Sequence, residues 1–262
     1  MYPIIKLGVI NIPTYGLMAI LGFSCAVLLF IKLAKRYEIQ TDDCIYASIY
    51  CIVGVLIGAK LMNAISLLPR IITHMDVVKK YPFATLQQLF GGYVFYGGLI
   101  GGALGVVIYC KKFKLPLFSF MDAAAPVIPF MHAFGRVGCF LAGCCYGVEY
   151  DGFFSVTFPT TGYTADIGGV PRIPTQLIEV VYDLILFVIL FIYMKSKPKP
   201  GRGLGIYVIA YTIMRFIIEF FRGDIVRGEM IGISTSQWVS LFLLPVGIWM
   251  VRGIPIGRSK HK

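Results

Sequence analysis

Runs of about 20 apolar residues recur along this 262-residue chain, near 14–34, 44–67, 94–110, 122–145, 175–194, 203–222 and 232–251. A helix of that length rises about 30 Å, the thickness of a bilayer's hydrocarbon core. In lipid the backbone must satisfy its own polar groups, so spans of this length and number predict an all-α polytopic membrane protein with about seven transmembrane helices. Hydrophobic residues make up 58% of the chain and charged residues 14%, too little polar surface to keep a soluble domain dispersed. No long polar segment interrupts the runs, so residues 1–262 are expected to form a single transmembrane domain. The N-terminus lacks a basic region followed by a small-residue cleavage site, which makes the first run a retained helix rather than a removable signal.

The net charge of +11 invites a nucleic-acid reading, but its distribution argues for membrane topology instead. Lys32, Lys35 and Arg36, then Lys111, Lys112 and Lys114, then Lys195, Lys197, Lys199 and Arg202, then Arg252, Arg258, Lys260 and Lys262 fall in one alternate set of loops. The opposite set holds Lys6, Arg70, Lys79, Lys80, Arg172, Arg222 and Arg227, half as many. The positive-inside rule makes the richer set cytoplasmic, with the N-terminus outside and the C-terminus inside. Two outward segments exceed simple turns. Residues 68–93, with Pro69 and Pro82, predict an interfacial arm carrying a short helix, and residues 147–173 predict a small outward-facing cap with strand character at FFSVTF (153–158).

Three basic residues, Lys60, Arg136 and Arg215, fall inside the spans rather than in loops. Placing a cation at mid-membrane costs about 2.5–3.5 kcal/mol even on the lenient insertion scale, so such residues face a protein interior and hold an anion. The commonest anion in a bilayer is a phospholipid phosphate, which points to an enzyme acting on a lipid head group. On the fourth run His132, Arg136 and Cys139 share one helical face, and Gly135, Gly138 and Gly143 thin the helix around them. On the sixth, Tyr211, Arg215, Glu219 and Arg222 form a polar stripe in which Glu219 can pair with either arginine. Arg136 has no acidic neighbour at helical spacing, so its partner must come from another helix or from a ligand.

The fifth run opens PTQLIEVVYD, with Gln176, Glu179 and Asp183 on one face. Its carboxylates are natural counter-ions for the buried cations, an architectural role, whereas Gln176 near the outer end is placed to meet a substrate. The glycines of GGYVFYGGLIGG (91–102) suit close helix packing, and Tyr96 at the mouth of that span can donate a hydrogen bond to a phosphate. Tyr15, at the start of the first span, has the same capacity. Cys139, Cys144 and Cys145 have the spacing CxxxxCC, which puts no two of them one helical turn apart, so no metal site is expected.

Taken together, these segments resemble the bacterial prolipoprotein diacylglyceryl transferase family. The resemblance runs through YGLM (15–18), GGYVFYGGLIGG, HAFGRVGCFLAGCCYG (132–147), PTQLIE (174–179) and YTIMRFIIEFFRGD (211–224), in order along nearly the whole chain. It implies transfer of the diacylglyceryl group of phosphatidylglycerol to the lipobox cysteine of a prelipoprotein. The product is a thioether, glycerol phosphate is released, and the reaction takes place at the outer face of the bacterial plasma membrane. No metal or soluble cofactor is implied. The partners are phosphatidylglycerol, lipobox peptides and membrane lipids, with no nucleic acid. On this reading Arg136, Arg215, Tyr96 and His132 are catalytic, with the two arginines clamping the departing phosphate. Tyr15, Gly98, Cys139, Gly147, Gln176, Tyr211 and Glu219 join Arg136 in binding substrate.

The sequence departs from the family pattern in four places. Tyr96 stands where a histidine is usual, Cys139 and Cys144 where asparagine and glutamate are usual, and Lys60 where an arginine is usual. An unperturbed tyrosine, with a pKa near 10, is a poor base at neutrality, so His132 or a water must take the proton, or the acceptor differs. The competing expectations are a same-fold transferase for another lipid or thiol, an anion transporter and a lipid-binding protein without catalysis. The two halves show no convincing internal repeat of the kind common in transporters.

Overall fold

A computed structural model describes residues 3–7, 10–160, 164, 167–224 and 229–253. Of the loop cations used for orientation, Arg227, Arg258, Lys260 and Lys262 lie outside the described residues, as do 161–163, 165 and 166 of the expected cap. In chain order the elements are β1 (Ile4–Leu7), β2 (Ile10–Pro13), α1 (Thr14–Ala34), α2 (Thr41–Thr73), α3 (Met75–Lys80), α4 (Pro82–Gly91), α5 (Phe95–Lys112), α6 (Leu117–Ala124) and α7 (Val127–Ala142). There follow β3 (Val156–Thr157), β4 (Pro171–Arg172), α8 (Thr175–Tyr193), α9 (Arg202–Ile218), β5 (Glu229–Met230), β6 (Ile233–Ser234) and α10 (Thr235–Arg252). The strands form three separate two-stranded antiparallel ribbons.

This is an integral membrane protein built from α-helices. Among the described residues, four unbroken helices are long and apolar enough to span a bilayer: Thr14–Tyr37, Thr41–Thr73, Thr175–Ser196 and Arg202–Phe221. The number rises to six if each of two bent pairs, α4 with α5 (57°) and α6 with α7 (41°), is one span. Two expectations change as a result. The run at 122–145 is not one helix: the chain breaks at Ala125 and Pro126, because a proline cannot donate into the preceding turn. The seventh run becomes α10, an 18-residue helix that is not among those six.

The chain divides into two compact units, Ala34–Leu117 and Met1–Leu33 with Phe118–Lys262. In the first, α2 and α5 lie antiparallel with glycine against glycine. A Cβ added at Gly101 would strike the carbonyl of Gly54, one at Gly97 the carbonyl of Gly58, and one at Gly105 the carbonyl of Tyr50. Hydrogen at these positions lets two backbones touch. The α2 helix runs 33 residues, about 50 Å, well beyond a 30 Å hydrocarbon core. The arm expected at 68–93 therefore starts as the end of α2, through Pro69, and continues as α3 and α4. Lys60 donates to the Phe90 carbonyl and sits 4.2 Å from the Tyr93 ring centre, so its charge is accommodated without a carboxylate.

In the second unit α7 packs on α8, and α9 on α10. The α9 helix begins after KPKPG with no capping side chain of its own. Asp122 of α6, fully buried, supplies the cap from a distance, accepting hydrogen bonds from Gly201 N (2.7 Å) and Leu204 N (3.0 Å). A carboxylate there also faces the positive end of the helix dipole. The α10 helix starts with a capping box, Ser234 accepting from Gln237 N and the Gln237 side chain accepting from Ser234 N. Of the strand expected at 153–158 only Val156–Thr157 forms, paired with Pro171–Arg172; Phe158 is buried while Phe153 and Phe154 are exposed.

Candidate active site

The spacing of polar residues on α7 and α8 dictates how these helices meet. Antiparallel helices in register pair a residue four places forward on one with a residue four places back on the other. His132 Nδ1 lies 2.7 Å from Asp183 Oδ2, and one turn on, Arg136 Nη2 lies 2.6 Å from Glu179 Oε2. Both carboxylates are fully buried and Arg136 is 9% exposed. Removing two charges from water is offset only by close pairing, and this ladder supplies it. The counter-ion for Arg136 thus comes from a neighbouring helix, and Glu179 and Asp183 take the architectural role that their positions suggest.

Glu179 also faces a second cation, with Arg222 Nη1 3.8 Å from its Oε1. Arg222 is gripped mainly by Asp224, through two parallel bonds of 2.7 and 2.6 Å. Arg215 pairs within its own chain segment, Nη2 lying 2.7 Å from Glu219 Oε2, and donates to Ser236 of α10 at 2.8 Å. The polar stripe 211–222 therefore splits: Glu219 serves Arg215, whereas Arg222 turns toward Asp224 and Glu179. Five guanidinium nitrogens among the described residues are buried without a hydrogen-bond partner, Arg136 Nε and Arg215 Nη1 among them. A buried donor left unpaired costs about 1–3 kcal/mol, so each is a place where an acceptor oxygen would be stabilised.

Tyrosines surround the arginines. Tyr211 meets the His132 ring edge-on at 5.6 Å and stacks on Tyr207. Tyr15 is half exposed at the start of α1 and lies against Gly138, where an added Cβ would come within 3.2 Å of its ring. Gly138 thus makes room for Tyr15 half a turn from Arg136. Gly135 faces open space instead. Tyr96 and Gly98 belong to the other unit, at the start of α5, where Gly98 is buried against Val55 and Ala59.

The signature loop after α7 is held from several sides. The helix ends in a Schellman turn: Gly143, at φ 75°, donates to Phe140, and Cys144 N donates to Cys139 O. The next residues are fixed by the first turn of α8, Gln176 Nε2 donating to Cys144 O (2.7 Å) and Thr175 Oγ1 to Cys145 O (2.8 Å). Gln176, expected to face a substrate, is fully buried and spends its amide nitrogen on this turn. Gly147 donates to Ile173 O (2.9 Å) and lies opposite Arg222, with no room for a side chain between Ile173 and Phe221.

The turn also overturns the spacing argument about the cysteines. The sulfur atoms of Cys139, Cys144 and Cys145 all lie within 4.8 Å of one another. Helical spacing separates these residues, but the left-handed Gly143 and Cys145 (φ 64°) fold the chain back on the last turn of α7. Hydrogen bonds from Cys139 and Cys144, and then the charge of Arg222, hold the Cys145 thiol well below the usual thiol range. Sequence reasoning passed over Asp224, whose FFRGD context marks it beside Arg222, and Ser236, which carries no signal beyond its place in a capped helix start.

Comparisons with known proteins bear on the family of the chain. Residues 3–252 match the family model described as prolipoprotein diacylglyceryl transferase. The chain is 35% identical over 239 residues to the phosphatidylglycerol–prolipoprotein diacylglyceryl transferase 2 of Clostridium perfringens, covering 91% of this chain and 90% of that one. It is 35% identical over 241 residues to the corresponding transferase of Clostridium tetani (92% of each chain). To that of Nitrosomonas europaea it is 32% identical over 260 residues (93% of this chain, 86% of that one).

Proposed function

The chain belongs to the prolipoprotein diacylglyceryl transferase family, and from that premise we propose that it moves the diacylglyceryl group of phosphatidylglycerol onto the cysteine thiol of a prelipoprotein's lipobox. The sulfur attacks the glyceryl carbon bound to phosphate, the carbon–oxygen bond breaks, and glycerol phosphate leaves as the thioether forms. Negative charge grows on the departing phosphate oxygen, so the step is accelerated by cations already fixed in a water-poor site. The observation that carries this reading is that two buried unpaired donors, Arg136 Nε and Arg215 Nη1, sit on guanidiniums anchored through Nη2, that of Arg136 on Glu179 and that of Arg215 on Glu219 and Ser236. The tied nitrogens hold each group in place; the unpaired ones are donors for phosphate oxygens.

Tyr15 and Tyr211 orient the head group, and Cys139, Gly147 and Glu219 shape the wall around it. His132, with Nδ1 set against Asp183, has Nε2 left to take the thiol proton. Gln176 acts through the cysteine turn it holds. Tyr96 as a catalytic residue and Gly98 as a substrate-binding one, both at the start of α5, are carried by the family resemblance alone. The bacterial plasma membrane is the site of action, and with α10 crossing as a seventh span beyond the six counted above, the N-terminus lies outside and the C-terminus inside, residues 68–93 forming an outward arm and 147–173 an outward cap. The excess of Lys and Arg in the opposite loops supports that orientation.

The test uses purified protein in detergent with phosphatidylglycerol and a lipobox peptide, following glycerol phosphate release and peptide mass. Peptide carrying a diacylglyceryl thioether is expected, and Arg136→Ala is expected to lower turnover by about 10²–10³-fold. Glycerol phosphate release with unmodified peptide would assign a different acceptor, and an unaffected Arg136→Ala would remove Arg136 from the clamp.

A further inference from the structure

We propose that Cys139, Cys144 and Cys145 form a three-thiolate site for a thiophilic dication, with zinc the best fit, and that its open fourth position takes an incoming thiolate. Three sulfurs at most 4.8 Å apart surround a point that each can reach. Zinc–sulfur bonds of about 2.3 Å would require each sulfur to move inward by about 0.6 Å or less, within the range of a small side-chain rotation. None of the three is engaged in a disulfide.

The backbone that carries them is already ordered. Two side chains of α8, both fully buried, hold the carbonyls of Cys144 and Cys145, and the Schellman turn fixes Cys144 against Cys139. A site assembled before the ion arrives loses little conformational freedom on binding it. Cys144 is exposed and the other two are partly so, which gives an ion a way in. Three thiolates and a dication carry one net negative charge, and the Arg222 guanidinium, hydrogen-bonded to Cys145, lies alongside. Such an outer partner orients a ligand and stabilises its charged form.

Three sulfurs leave a tetrahedral ion one ligand short, and among the described residues no fourth His, Cys, Asp or Glu joins the group. Zinc sites with three protein ligands keep that position for water or substrate. A thiol that enters it loses its proton to solvent and displaces the bound water as the sulfur–metal bond forms. Cys139 is one helical turn from Arg136, so a sulfur held there would lie at the arginine site. That this sulfur is the lipobox cysteine rests on the transferase reading above.

The experiment titrates reduced, metal-free protein in detergent with Co(II), followed by Zn(II). One cobalt per chain is expected, with sulfur-to-cobalt charge-transfer absorption that one zinc abolishes. Cys139→Ser, Cys144→Ser and Cys145→Ser should each weaken binding by about tenfold or more, and Cys25→Ser, in α1, should not. Because a serine variant can misfold, the folded wild-type protein decides alone: no charge-transfer band, or two thiols lost to a disulfide with no ion bound, overturns the site. A lipobox peptide should shift the cobalt bands and its Cys→Ser form should not; an unmoved spectrum overturns the fourth position. Transfer at full rate in verified ion-free enzyme would likewise remove the fourth position and leave the transferase intact. A cobalt spectrum without any transfer would uphold the site and sink the transferase instead.

Discussion

The α2–α5 pair and the α7–α8 pair obey the same antiparallel register, four residues forward on one helix matching four back on the other. In the first pair the matched positions are Tyr50 with Gly105, Gly54 with Gly101, and Gly58 with Gly97, and the contact is backbone on backbone. In the second they are His132 with Asp183 and Arg136 with Glu179, and the contact is an imidazole on a carboxylate at one rung and a guanidinium on a carboxylate at the next. Within a bilayer, burying apolar side chains against one another gains little, because lipid is as apolar as they are. What remains is close packing, which glycine supplies, or pairing of groups that lipid cannot solvate. The first solution leaves nothing chemically active at the interface. The second stores charges that a polar substrate can engage, and the candidate site lies there.

The largest effect expected from breaking this contrast is at Glu179, because one carboxylate faces both Arg136 and Arg222. Glu179→Ala leaves two buried guanidiniums short of a partner and should destabilise the protein by about 3–5 kcal/mol. Thermal unfolding in detergent would register it, together with loss of transfer. A variant as stable as the parent would mean that the arginines are solvated by other means and that the ladder is incidental.

Next comes Gly101→Ala, on the other interface. The added methyl would strike the Gly54 carbonyl and crowd the Gly58 backbone, neither of which can swing aside as a side chain does. Helix separation must grow, at a cost of about 1–3 kcal/mol. Transfer per folded molecule should be retained, since no charged group is touched. Lost transfer in a fully folded Gly101→Ala protein would show that the glycine interface serves chemistry as well as packing.

How far these two regions were legible in sequence differs for a physical reason. Glycines at four-residue spacing and carboxylates on one face of 174–183 are periodic signals, and period survives without coordinates. That Arg136 has no partner at helical spacing leaves another helix or a ligand to supply one, and the carboxylates on the face of 174–183 are candidates that the sequence alone does not select. The cysteine cluster is hidden in sequence, because CxxxxCC on a continuous helix keeps the three thiols apart, whereas Gly143 ends the helix and reverses the chain. Pro126 was visible, but whether a proline bends a span or breaks it depends on what its neighbours offer the freed carbonyls. The cap that Asp122 provides for α9 joins residues 79 apart, and nothing local encodes it.

The smallest expected effect is also the one that best separates packing from function. Gly98 sits in the same glycine run as Gly97 and Gly101, yet a Cβ there would meet Val55 and Ala59 at 3.4 and 3.6 Å, ordinary contact distances. Packing therefore does not require glycine at 98, and Gly98→Ala should leave stability unchanged or raise it by less than about 1 kcal/mol through the lower freedom of the unfolded chain. The resemblance that marks Gly98 as substrate-binding predicts something that packing does not: a rise in KM for phosphatidylglycerol while the unfolding temperature holds. If stability and KM both stay put, the glycine at 98 is a bystander of the run that surrounds it. If KM alone moves, a lipid passes where the structure leaves room for a methyl group, and the quiet interface has a part in the reaction.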